Sequence, residues 1–207
     1  MNEITAITPQ VKDKTRCNIY LDGQFYCGLK LEVVVLHRLK VGMQVSKPFL
    51  NEIQLDSEKS TALDKTLTYI TATQKTEKQI KDYLYKKGYL PAVVNYVLEK
   101  LRDYRFVDDK DYAETYAKNY AQRKGRRLIK LELKRKGISD EHVETALDEL
   151  GDDEQLEGAK ILMEKYMRSK TADRETLSKA FRYIMSKGFD YDVAKRALTA
   201  YGEIDEE

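Results

Sequence analysis

The 207-residue sequence predicts a mainly α-helical chain: three tandem three-helix repeats forming an elongated curved array, preceded by a small N-terminal domain that contains a β-hairpin. Three observations carry that reading. The spacing of apolar residues changes near residue 60 from the period of a strand to that of a helix. Lys-Gly pairs recur about every 50 residues, at Lys87-Gly88, Lys136-Gly137 and Lys187-Gly188, a period typical of helical repeat proteins. Only 3 prolines and 10 glycines are present, which leaves little material for turn-rich sheet. The expected divisions are 1–58 for the N-terminal domain, then 59–107, 108–151 and 152–207 for the three repeats, the last with an acidic tail at Glu203–Glu207.

The first 55 residues read as β-rich. Asp22-Gly23 lies between Cys17–Leu21 and Gln24–Leu29, the pattern of a two-residue type I′ hairpin. Such a loop pairs Cys17 with Gly28 and Asn18 with Cys27, which points the two cysteines to opposite sides of the ribbon, out of bonding reach. Glu3–Thr8 is a third strand. Leu31–Leu39 forms a short helix stopped near Gly42.

Superimposing the three Lys-Gly pairs aligns much else. Four residues before each glycine stands Leu84, Leu133 or Ile184, and just after it Tyr89, Ile138 or Phe189. Ten residues after it is always leucine: Leu98, Leu147 and Leu198. The columns describe a helix ending at a glycine in the left-handed conformation, an apolar residue folding back, and a second helix. Ser139 and Asp190 are placed to cap that second helix, and in the first repeat Leu90 precedes Pro91 at the first helical position. Thr76-Glu77-Lys78-Gln79 has the form of a capping box. A further amphipathic helix precedes each pair, over Ala62–Thr71, Tyr112–Arg123 and Leu156–Arg168. One such unit cannot bury its own faces, so neighbours stack.

Several classes of activity find no support. The chain has no G-x-S-x-G, G-x-x-x-x-G-K-[ST], H-E-x-x-H or G-x-G-x-x-G motif, so no enzyme and no cofactor is expected. Two cysteines and two histidines supply neither a disulfide framework nor a four-ligand zinc site, and no metal site is expected. His37 and His142 read as surface or cap-adjacent residues, and Cys17 and Cys27 as packing residues. Apolar runs such as Val33–Leu36 fall far short of the ~20 residues of a membrane span. The opening MNEITAITPQ lacks the form of a secretory signal, which makes the cytoplasm the expected location.

The formal net charge of +2 conceals an uneven distribution. Residues 118–136 hold nine Lys and Arg with one acid, Glu132, whereas 139–158 hold nine acids with no Lys or Arg. On one helix, Arg123, Arg127, Lys130 and Lys134 share a face, opposite Ile129 and Leu133; Gly125 interrupts that helix if it breaks there. A row of cations can track phosphates or meet an acidic protein surface, and it can also be a solvated face. Arg123, Lys124, Arg126, Arg127, Lys130 and Lys134 are the expected contact residues. Tyr112, Tyr116 and Tyr120 form a second row, read as packing with the hydroxyls outward in preference to base stacking. The acidic run Asp152-Asp153-Glu154 suits a helix N-terminus.

Phe106-Val107-Asp108-Asp109-Lys110-Asp111-Tyr112-Ala113, Lys124-Gly125-Arg126-Arg127-Leu128-Ile129 and Leu133-Lys134-Arg135-Lys136-Gly137-Ile138 together resemble the central motifs of the RecX family. Leu84-x-x-Lys87-Gly88 and Val97-Leu98-x-x-Leu101 resemble that family's first repeat, and the hairpin at Asp22-Gly23 its N-terminal extension. The resemblance spans roughly residues 60 to 202. It implies a non-enzymatic regulator of the RecA recombinase, within the SOS response and homologous recombination. Such a protein binds RecA and its nucleoprotein filament, most often inhibiting strand exchange and ATP hydrolysis, with single- or double-stranded DNA as a further ligand. A monomer is expected. The alternative is a helical-repeat DNA-binding protein that acts on nucleic acid without RecA.

Overall fold

The computed structural model describes residues 1–202, so the acidic tail expected at Glu203–Glu207 lies outside the described residues. In chain order the elements are β1 (Asn2–Pro9), β2 (Arg16–Leu21), β3 (Gln24–Lys30), α1 (Leu31–Leu36), β4 (Gln44–Val45), α2 (Lys47–Thr71), α3 (Glu77–Lys86) and α4 (Pro91–Asp103). Then follow α5 (Asp109–Tyr120), α6 (Arg126–Arg135), α7 (Asp140–Asp148), α8 (Asp152–Met167), α9 (Arg174–Ser186) and α10 (Tyr191–Leu198). The helices form the three predicted repeats: α2–α4, α5–α7 and α8–α10. They follow a small antiparallel sheet of order β3-β2-β1-β4. Two compact units result, Met1–Gln74 with Ile80–Phe106, and Lys75–Gln79 with residues 107 onward.

In the first unit, Asp22 (φ 48°) and Gly23 (φ 84°) both take positive φ, as a type I′ turn requires. Next to the turn the pairing is as expected, Leu21 with Gln24 and Tyr20 with Phe25. It then slips, so that Ile19 faces Cys27 and Cys17 faces Leu29. Tyr26 is the extra residue of a β-bulge, and a one-residue slip moves every later side chain to the other face. The expected placement of the cysteines on opposite sides is therefore corrected. Both lie on the core face, 1% and 3% exposed, among Ile4, Ile19, Leu29 and Val45. They are diagonal to one another across the strands, and both are free thiols.

The short helix α1 ends earlier than expected. Arg38 takes the left-handed conformation (φ 50°), and the Arg38 and Leu39 amides return to the carbonyls of Val35 and Val34, closing a Schellman motif. A larger difference is α2, which starts at Lys47 and not at Ala62. Ser46 caps it by accepting a hydrogen bond from the Phe49 amide (3.3 Å), with Pro48 in the first turn. Between Gln54 and Thr61 only Leu55 is apolar, so the helical period is faint there. The Ser57 hydroxyl, facing the sheet, instead accepts from the Lys30 amide at 2.9 Å.

The repeat columns have the expected cause. Gly88, Gly137 and Gly188 stand at φ 84°, 89° and 87°. In the second repeat the Ile138 amide reaches the Leu133 carbonyl (3.1 Å) and the Gly137 amide that of Lys134 (3.0 Å); Tyr89 and Gly88 do the same in the first. Thr76 and Gln79 form the reciprocal capping box, at 3.3 and 3.1 Å. Ser139 accepts from the His142 amide, whereas Asp190 makes no side-chain cap bond. Asp173 caps the preceding helix of the third repeat, α9, by accepting from the Thr176 amide at 2.8 Å.

Within the second unit, the second and third repeats are joined at backbone level. The Gly125 amide donates to the Lys187 carbonyl (2.9 Å) and the Arg127 amide to that of Gly188 (3.1 Å). Gln155, 2% exposed, accepts from the Arg126 amide (3.0 Å) and donates to the Ala121 carbonyl (3.4 Å). Gly125 and Gly158 allow this approach, since a Cβ on either would meet backbone atoms of the facing repeat within 3 Å.

Candidate partner interface

The basic segment does not form one helix. Asp108 caps α5 by accepting from the Lys110 and Asp111 amides, and α5 ends at Tyr120. Residues 121–125 are a turn, and Gly125 is the N-cap of α6. Arg123 thus lies outside both helices, which corrects its expected place in a row with Arg127, Lys130 and Lys134. Those three do share α6.

Beneath the turn, the tyrosine row packs as expected. Tyr112 and Tyr116 stack at 6.0 Å, and Tyr116 and Tyr120 lie 4.5 Å apart. Lys124 sits over the Tyr120 ring at 4.1 Å, and Lys136 over Tyr116 at 5.4 Å, so cations occupy the positions a base would need. The Tyr116 hydroxyl and the Lys124 ammonium both donate to Glu132 Oε2, each at 2.6 Å. Burial opposes ionisation of Glu132, but the bonds from Lys124 and Tyr116 outweigh it and hold the carboxyl below its usual range. Burial, and then the bond to that carboxylate, push the Tyr116 hydroxyl up.

Three of the six expected contact residues are paired with acids from other helices. Arg126 meets Asp152 at 2.7 Å and also bonds the Leu150 carbonyl. Lys130 meets Glu144, and Lys134 meets Asp140 at 2.9 Å. Lys134 holds the Asp140 carboxyl below its usual range, by hydrogen bond and charge, and Glu144 raises Lys130 in the same way. The acids of residues 139–158 therefore neutralise cations that the sequence placed in an uncompensated block. Arg127 is exposed and has no side-chain partner among the described residues.

Arg123 is also unpaired, and it lines a cleft of about 510 Å³. There it joins Lys124, Lys165 and Lys187, over apolar groups from Leu128, Ile161 and Leu162. Sequence reasoning did not find Lys165 and Lys187. The second was visible in a Lys-Gly pair but was read only as part of a helix terminus. His37 and His142 lie in different units, and no group of three or more His, Cys, Asp or Glu among the described residues could hold a metal.

Models of RecX domains match the chain in order along its length. They are the regulatory protein RecX N-terminal domain over residues 2–46, and the first, second and third three-helix domains over 62–101, 108–147 and 152–198. The chain belongs to the RecX family. Regulatory protein RecX of Bacillus velezensis is 32% identical over 209 residues, which is 98% of this chain and 80% of that protein. Regulatory protein RecX of Clostridium tetani is 30% identical over 202 residues, covering 96% and 94%. Among solved structures, a crystal structure of regulatory protein RecX superimposes with a TM-score of 0.70 at 28% identity, covering 93% of this chain and 97% of that one. RecX from Lactobacillus salivarius gives 0.64 at 29%, over 70% and 96%. The RecX models meet within the second unit, where the second and third three-helix domains abut at Gly125 and Gly188.

Proposed function

We propose that this chain is a non-enzymatic regulator that binds RecA and RecA–DNA filaments, inhibiting recombinase and ATPase activity as a cytoplasmic monomer. The ordered match of four RecX domain models along the chain carries the reading. The charge distribution supports an interface on the second repeat. Arg123 and Arg127 are the cations left open for a partner, while Lys124, Arg126, Lys130 and Lys134 can exchange an internal carboxylate for an external one. The pairs of Arg126, Lys130 and Lys134 involve exposed carboxylates and such surface pairs contribute little, so their exchange costs little; Lys124, whose carboxylate is mostly buried and shared with Tyr116, exchanges least readily.

The exposed, unpartnered guanidinium of Arg127 also favours a second reading, a helical-repeat protein that binds DNA without RecA. RecA ATP hydrolysis on single-stranded DNA, titrated with this protein at two salt concentrations, separates them. The regulator lowers hydrolysis near stoichiometric protein while binding bare DNA poorly. Unchanged hydrolysis at protein excess, with tight and steeply salt-dependent binding to bare DNA, would refute the regulator and leave the DNA-binding reading.

A further inference from the structure

The cleft between the second and third repeats differs in charge from the surface around it. Elsewhere on the second repeat several cations meet acids across space, as Lys130 meets Glu144 and Lys134 meets Asp140. Here Arg123, Lys124, Lys165 and Lys187 converge, and no carboxylate is among the lining residues. Arg123 and Lys165 make no side-chain bond or ion pair among the described residues. Lys124 is held from behind by Glu132, outside the lining, and Lys187 lies over the Tyr183 ring at 5.0 Å.

The floor is apolar. Leu128 of α6 and Ile161 and Leu162 of α8 contribute to it, and Ile161 is 42% exposed. Tyr183 is the one aromatic residue in the lining, and it is already engaged: Tyr166 stacks on it at 5.0 Å and 27°, and the Lys187 ammonium lies 5.0 Å from its ring. A nucleobase entering the cleft would therefore meet a single ring that Tyr166 and Lys187 already engage, and no row of free aromatic rings, the usual anchor of single strands. The walls are also fixed before any ligand arrives, because the Gly125–Lys187 and Arg127–Gly188 backbone bonds tie α6 to the turn after α9. Four cations around an apolar floor match a ligand with carboxylates flanking a large aliphatic side chain.

We infer that this cleft is a docking site for an acidic polypeptide segment of a partner protein, carrying a leucine-like side chain between its carboxylates. The carboxylates pair with Arg123, Lys165 and Lys187, and the aliphatic group covers Ile161, Leu162 and Leu128. A preformed cleft keeps the ordering cost on the side of the segment. The inference deepens the proposed function, since the partner named there would supply the segment.

The test uses the full chain and three fluorescein-labelled probes of equal charge: a Glu/Asp-rich peptide with a central leucine pair, the same peptide with glutamine for leucine, and oligothymidylate. The leucine peptide should bind best, and Lys165→Glu with Lys187→Glu should weaken it about tenfold. Ile161→Ser should bring the leucine peptide down to the level of the glutamine peptide. All three positions are at least partly exposed, and unchanged thermal melts confirm intact variants. Equal binding of the two peptides, no binding of either, or tighter binding of oligothymidylate to the same cations overturns the inference. The regulator reading fails separately: a chain that binds the peptide but leaves RecA hydrolysis unchanged sinks only that, and the converse sinks only the cleft.

Discussion

Gly125→Ala is the sharpest perturbation of the junction that builds the cleft. A Cβ there would stand 2.1 Å from the Phe189 nitrogen and 2.2 Å from the Gly188 carbonyl carbon and oxygen. These are backbone atoms, so no side chain can swing aside, and α6 must part from the turn at Gly188. The parting breaks the bonds from Gly125 to Lys187 (2.9 Å) and from Arg127 to Gly188 (3.1 Å). At about 1 kcal/mol each, they total about 2 kcal/mol. Alanine at an N-cap adds a smaller cost of its own, about 0.5 kcal/mol relative to glycine. Gly151→Ala isolates that part, because Gly151 is likewise an N-cap, with φ −64° and ψ 148° against −76° and 164°, and nothing lies within 4 Å of its added Cβ. Thermal unfolding followed by far-UV circular dichroism should place Gly125→Ala about 5 °C below Gly151→Ala for a chain of this length. Melting points within a degree of each other would show that the two repeats are not held together at this contact.

Two further outcomes follow from one half-buried and two buried titratable groups. Glu132 has a depressed carboxyl, so its contribution is complete above the unfolded value of about 4.3 and is lost as pH falls through the folded value. Between about pH 5 and pH 3 the wild-type chain should therefore lose more stability than Glu132→Gln, and parallel acid-unfolding curves would contradict the Lys124–Glu132–Tyr116 network. The thiols are protected in a different way: burial, and then the neighbouring Cys17, push Cys27 up to about 11, while burial raises Cys17. Ellman's reagent near neutral pH should label neither in the native chain and both in denaturant; immediate native labelling would place a cysteine on the outer face of the ribbon.

What was legible in the sequence is what a short stretch of chain decides for itself. The turn at Asp22-Gly23, the capping box at Thr76 and the glycines after α3, α6 and α9 each follow from the conformational needs of a few adjacent residues. The bulge at Tyr26 did not show, because nothing in Gln24–Lys30 forbids regular pairing; the slip brings Cys27 and Leu29 onto the core face that Cys17 and Ile19 share. The start of α2 did have a signal, Ser46 followed by Pro48, but the polar residues after Gln54 hid the period that would have supported it. The extent of the candidate site was the least legible part. Arg123 and Lys124 were found, yet Lys165 and Lys187 come from the third repeat and join them only through the packing at Gly125 and Gly158.

That difference changes how the charge of this chain should be read. A block of nine basic residues followed by nine acids looks like two opposed surfaces, but the order of the helices folds the second block onto the first. Glu144, Asp140 and Asp152 meet Lys130, Lys134 and Arg126, so much of the block is spent within the second unit. The cations that stay open are those no acid of α7 or the start of α8 reaches, and in the cleft they come from two repeats at once. With the cleft as docking site, recognition would draw on a junction between repeats as well as on the open Arg127 of the second repeat. The second repeat alone would keep Arg123 and Lys124 but lose Lys165, Lys187 and the Ile161–Leu162 part of the floor. Tandem repetition supplies such a site where one unit cannot, because each added repeat brings a new interface along with a new helix face.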